Sequence, residues 1–271
     1  MKIIDCHLHV SEIEEDTKEM AKTVGNLPTL EGIKKEMARN GVVGGVVISG
    51  FEKPAECLET LKMIAQENSN IKCVLGIDPG LMNKVLCAKL EKYIAEGFIS
   101  GIKIYPSYLP YYPNDKIYSK FYQMAIKHNI PAIVHTGAVL SNDNAGRVRQ
   151  KYAHPLHVDD LAVDFPKLRI VMAHSGYPWI VDAAQVAYKN ENVFLDFSGL
   201  KEETVRSNTV LDQQIVWAFH YVEDHEKFMY GSDWPIIKMH EYIAWIRKLV
   251  PAEMQSKFFY ENAKKFFGFN I

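Results

Sequence analysis

In the opening segment MKIIDCHLHV, His7 and His9 stand two residues apart, so an extended backbone aims both imidazoles at one face. Taken alone the pair is a weak signal, because short motifs match by accident and such histidines are more often structural. Three further segments change the weighing: His135 in AIVHTG, His174 in VMAHSG and Asp233 in YGSDWP each close an apolar run. If those runs are parallel strands of one barrel, all five side chains converge on the same end. Several imidazoles and a carboxylate are costly in a core unless a cation or hydrogen bonds compensate. Nitrogen and carboxylate donors suit zinc, iron, manganese or nickel, and zinc is the expectation where nothing points to redox chemistry. A divalent ion lowers the pKa of its water from about 15.7 to near 7, which is the basis of metal-assisted hydrolysis.

The elements that must position these residues read as alternating strands and helices. Short Val- and Ile-rich runs fall at 2–9, 42–49, 71–78, 99–106, 131–137, 169–176, 193–199 and 228–235, and the stretches between them have helical spacing. That alternation predicts an α/β fold, with eight strands closing into a (β/α)8 TIM barrel as a single domain over 1–271. A doubly wound open sheet is the alternative, since periodicity does not show closure. Four long connections, 10–28, 107–114, 138–152 and 200–212, all follow strand ends and are expected over the mouth of the barrel.

Composition bounds the function. A hydrophobic content of 48%, charged content of 24% and net charge of −2 describe a globular chain without the basic surface that nucleic acid requires. No polybasic stretch argues for a membrane surface, and no apolar run approaches transmembrane length. The N-terminus lacks the apolar core of a signal peptide. Cys6, Cys57, Cys73 and Cys87 are widely spaced, so reduced thiols and a cytoplasmic location are expected. Cys6 should pack outward against helices, because its neighbour His7 takes the inner face. A small-molecule substrate is the expected partner. A homodimer is open, since helices for dimerisation and for barrel packing look alike.

The ordered set DCHLH, GIKIYP, VHTG, AHSG and GSDWP, with HPLHVDDLAVDFPKLRIVMAHSG and the late ENAKKFFGF, resembles the amidohydrolase superfamily across nearly the whole chain. More narrowly it resembles the branch with aminocarboxymuconate-semialdehyde decarboxylase, related aromatic-acid decarboxylases and many metal-dependent hydrolases. The resemblance implies that His7, His9, His135 and Asp233 hold the main metal, and that His174 is catalytic together with Asp233. In a binuclear variant His174 joins His135 on a second ion and a carboxylated Lys103 bridges the two.

The remaining polar residues admit two readings each. Asp5 would point inward and support a ligand histidine, or bond to backbone. Asp78 and Asp196 would contact substrate or cap the following helix. His154 and His157 precede a helix expected from about Asp159 and read as loop packing or capping; His128, His220, His225 and His240 read as helix or loop residues. Tyr105, Tyr108, Tyr177, Trp179 and Trp234 would wall a pocket for a planar or apolar substrate, or serve the core. Arg147 and Arg149 would pair with a substrate carboxylate, or lie on an exposed loop. Three functions follow: a metal-dependent hydrolase of an amide, ester or lactone; a metal-dependent decarboxylase or related lyase; and a binding barrel with a structural metal.

Overall fold

The computed structural model describes residues 1–139, 149–200 and 209–271. The eight apolar runs form strands β1 (Ile3–Leu8), β2 (Val42–Ile48), β3 (Ile71–Ile77), β4 (Gly101–Ile104), β5 (Ala132–His135), β6 (Ile170–Ala173), β7 (Val193–Phe197) and β8 (Phe228–Tyr230). Neighbours in sequence pair in parallel from β1 through to β8, with helices between them. The ring is closed by the segment after β8: the Asp233 amide donates to the His7 carbonyl at 2.9 Å and the His9 amide to the Trp234 carbonyl at 2.8 Å. This is a (β/α)8 barrel, and the open-sheet alternative falls.

The strands separate two apolar layers. Residues such as Leu75, Ile102, Val134, Met172 and Leu195 face the helices. Ile4, Cys6, Val46, Ile48, Val74, Ile133, Val171 and Met229 fill the barrel, over a floor of Ala263, Phe266, Phe267 and Phe269 from the C-terminal segment. Asn262 fastens that floor by donating to the carbonyls of His225 and Phe228. Arg169 packs over the Phe266 ring and donates to the Phe266 carbonyl. With one end filled, the His-bearing end is the open one.

Cys6 corrects the expectation of strict alternation, since its thiol faces the barrel interior as His7 does. The β1–β2 register slips between Asp5 and Leu8, and such a slip turns two consecutive residues the same way. Asp5 is displaced correspondingly: its carboxylate accepts the backbone amides of His7 at 3.1 Å and Ser232 at 2.9 Å, the backbone alternative. Burial holds the Asp5 carboxyl up at about 7.

Elsewhere the elements end where local chemistry dictates. Thr29 and Asn83 cap helices Leu30–Asn40 and Lys84–Ala95 by accepting the amides of Gly32 and Leu86. Gly41, at φ 70°, turns the first of these into β2. Among the described residues no helix is long and apolar enough to cross a membrane.

Candidate metal centre and substrate cavity

Each of the five expected side chains arrives at the barrel mouth from a different or shared strand end. His7 and His9 come from β1, His135 from the last position of β5, His174 from the turn leaving β6 and Asp233 from the turn leaving β8. His174 and Asp233 have φ of 61° and 66°, left-handed conformations that non-glycine residues adopt at a cost of about 1–3 kcal/mol each. Two adjoining glycines make room. A Cβ on Gly199 would stand 2.5 Å from Asp233 Oδ2 and 3.2 Å from His174 Nδ1. One on Gly231 would stand 2.9 Å from the His7 Cβ.

Asp233 is the hub. Its Oδ1 lies 3.3 Å from His9 Nε2 and 3.6 Å from His7 Nε2, and its Oδ2 lies 3.8 Å from His174 Nδ1. Among the described residues, His7, His174 and Asp233 offer donor atoms all within 4.8 Å of one another. His9 joins through Asp233. His135 stands beside His174, with ring centroids 5.0 Å apart. Lys103 faces inward, buried, with Nζ 3.4 Å from His7 Nε2.

The electrostatics follow from burial and from one another. Burial, reinforced by Lys103, holds His7 well below the usual imidazole range; burial and His174 do the same to His135. Burial also brings His174 down to about 4 and Lys103 down to about 8. His9 is the exception: burial opposes its charge, but Glu14 at 2.6 Å and Asp233 push it up to about 10. For Asp233 burial acts upward, and the surrounding imidazoles overcome it and hold the carboxyl well below the usual range.

A cation fits this donor set. His7 Nε2 and His9 Nε2 converge on one carboxylate oxygen of Asp233, and the proton that His9 shares with that oxygen occupies the place an ion would take. His135 Nε2 is buried with no hydrogen-bond partner, as a ligand nitrogen would be before its ion arrives.

Above these residues opens a cavity of about 880 Å³. Tyr105, Tyr108 and Tyr177 line it as expected, while Trp234 is fully buried among the helix-facing residues and Trp179 packs at a tilt against His154. Phe51 and Tyr152 line it too, as do Glu14, Asp16 and Glu52, none of which stood out in the sequence because each lies on a connection without a motif. Arg149 reaches the rim, and Arg147 lies outside the described residues. His157 falls inside the helix Leu156–Asp164, which starts earlier than expected; His154 accepts the Leu156 amide and His157 packs on Tyr112, so neither joins the centre. Asp78 accepts the Gly80 amide in the turn after β3. Asp196 neither caps a helix nor faces the cavity; it bonds to His7.

The sequence matches the amidohydrolase family profile over residues 4–269. No curated protein sequence matches the chain. Among solved structures, an uncharacterised TIM-barrel protein from Bordetella bronchiseptica is similar at 20% identity, 99% of each chain covered and a TM-score of 0.75. One described as a probable 2-pyrone-4,6-dicarboxylic acid hydrolase from Acinetobacter baumannii, with citric acid bound, is similar at 17% identity, 99% and 100% coverage and 0.70. The 2,6-dihydroxybenzoate decarboxylase from Rhizobium is similar at 14% identity, 99% of each chain and 0.71.

Proposed function

This chain belongs to the amidohydrolase family, and from that premise we propose that it is a metal-dependent hydrolase that opens an amide, ester or lactone of a small molecule with water. His7, His9, His135 and Asp233 would hold the ion, for which zinc is the best match to the donors; bound there, it supplies electrophilic polarisation and makes water more acidic. Asp233 remains ionised and takes the proton of the attacking water. His174, neutral at physiological pH and with its Nδ1 3.8 Å from Asp233, would take up that proton released by the water on its unprotonated Nε2 and hand it to the leaving group. Phe51, Tyr105, Tyr108, Tyr152 and Tyr177 receive a planar or apolar substrate portion and exclude bulk water from the buried polar cluster.

One observation carries this reading: a carboxylate within 4 Å of three imidazoles at the base of an open cavity. The aromatic lining and the presence of Arg149 at its rim favour a second reading, decarboxylation of an aromatic acid, the reaction that the Rhizobium protein's name describes. The test is a panel of esters, lactones, amides and aromatic acids offered to protein stripped of metal and reloaded with zinc. Hydrolysis that disappears on chelation and returns with zinc supports the first reading. Metal-dependent CO2 release supports the second, and turnover that ignores chelation removes both.

A further inference from the structure

His7 comes from β1 and His174 from the turn after β6, yet the groups that hold both rings come from one place, the end of β7. We propose that Asp196 and Ser198 are positioning residues for the metal centre. They fix which nitrogen of His7 faces Asp233 and which nitrogen of His174 keeps a lone pair. The inference rests on the metal-centre reading above.

Asp196 Oδ2 lies 2.5 Å from His7 Nδ1. A carboxylate only accepts, so the proton sits on Nδ1 and the Nε2 lone pair is turned toward Asp233. The other side of the ring agrees: the Lys103 Nζ, a donor, lies 3.4 Å from Nε2. His174 Nδ1 lies 3.2 Å from the Ser198 carbonyl, which also only accepts, so His174 carries its proton on Nδ1 and leaves Nε2 free. The Ser198 hydroxyl is 3.1 Å from each Nδ1 and ties the two rings, whose centroids are 4.8 Å apart.

The spacing is what a strand end provides. Residues 196 and 198 are two apart and face the same side, so one short run of backbone reaches both imidazoles. Ser175 anchors the run by donating to the Asp196 carbonyl at 2.9 Å. Gly231 admits it: a Cβ there would lie 2.5 Å from Asp196 Oδ1 and 3.0 Å from the Ser198 Cβ. β7 adds no donor atom to the His7, His174 and Asp233 group. Its contribution is orientation and, through the Asp196 charge, a more basic His7 Nε2.

The test uses the full chain labelled with ¹⁵N-histidine. Long-range ¹H–¹⁵N spectra of metal-free protein read the tautomers, and competition with a chromophoric chelator reads zinc affinity. Wild type is expected to show Nδ1–H at both His7 and His174. Asp196→Ala should lose that preference at His7 and bind zinc about 10- to 100-fold more weakly, with its circular dichroism retained. Asp196→Asn, whose amide oxygen still accepts the N–H, should restore the tautomer and part of the affinity, and it carries the test alone if the alanine variant does not fold. An Nε2–H tautomer of either histidine in wild type overturns the inference, as does zinc affinity within twofold of wild type in both variants. If wild type binds no zinc, the metal-centre reading fails, while the tautomers of the metal-free protein still decide the positioning.

Discussion

Asp233 Oδ1 lies 3.3 Å from His9 Nε2 although 224 positions separate the two, and the same turn that presents the carboxylate also bonds β8 to β1. Ligand placement and barrel closure are therefore one structural event, and the centre is sensitive to anything that moves that seam.

The first consequence concerns metal content. His9→Ala and Asp233→Ala should each lower bound zinc measured by inductively coupled plasma mass spectrometry, and undiminished stoichiometry in both would remove the metal centre. His174→Ala separates the two nuclearities: activity lost with one ion retained marks a proton-transfer role, whereas a fall from two ions to one marks a binuclear site.

The second concerns protons. Coordination requires neutral imidazole, and in the metal-free protein Glu14 and Asp233 keep His9 charged up to about 10. At pH 8 zinc uptake should then expel a proton from His9, and affinity should fall as pH drops below about 10. Calorimetry in two buffers of different ionisation enthalpy counts the protons. Glu14→Gln should reduce the count, and no release from wild type would contradict this account.

A third compares two left-handed glycines. Gly97, at φ 80°, has open space where a Cβ would go, whereas Gly199, at φ 63°, faces Asp233 and His174. Both alanine variants should lose about 1–2 kcal/mol from backbone strain alone. Only Gly199→Ala should also lower zinc affinity and turnover, by about tenfold or more if Asp233 moves by an ångström. Equal effects on zinc binding would show that the clash is relieved elsewhere.

The thiols give a fourth. Burial pushes the Cys6 thiol far up, Cys73 to about 12 and Cys57 to about 11, whereas Cys87 is only partly covered. Iodoacetamide at pH 8 should label Cys87 at least about tenfold faster than the other three in native protein. Peptide mass spectrometry reads the pattern, and uniform labelling would count against the barrel interior described for Cys6.

Much of the architecture was legible because Val- and Ile-rich runs announce buried parallel strands, and because His135, His174 and Asp233 each sit where such a run stops. The groups that hold the ligands were not. Asp196 lies 189 positions from His7, and nothing local marks their contact. Glu14 is near His9 in sequence, but only the folded connection turns its carboxylate back onto the ring. The inward Cys6 was misread for a related reason: the slip in β1 arises in its pairing with β2, and alternation within one strand cannot reveal it.

The seam between β1 and the turn after β8 also orders events in time. A growing chain that has reached only β7 already contains His7, His9, His135 and His174, but it lacks Asp233 and the two hydrogen bonds that close the ring, and its floor of Phe266, Phe267 and Phe269 is still unmade. The complete ligand set therefore comes together only once β8 and the turn that follows it have been made, after every one of its imidazoles.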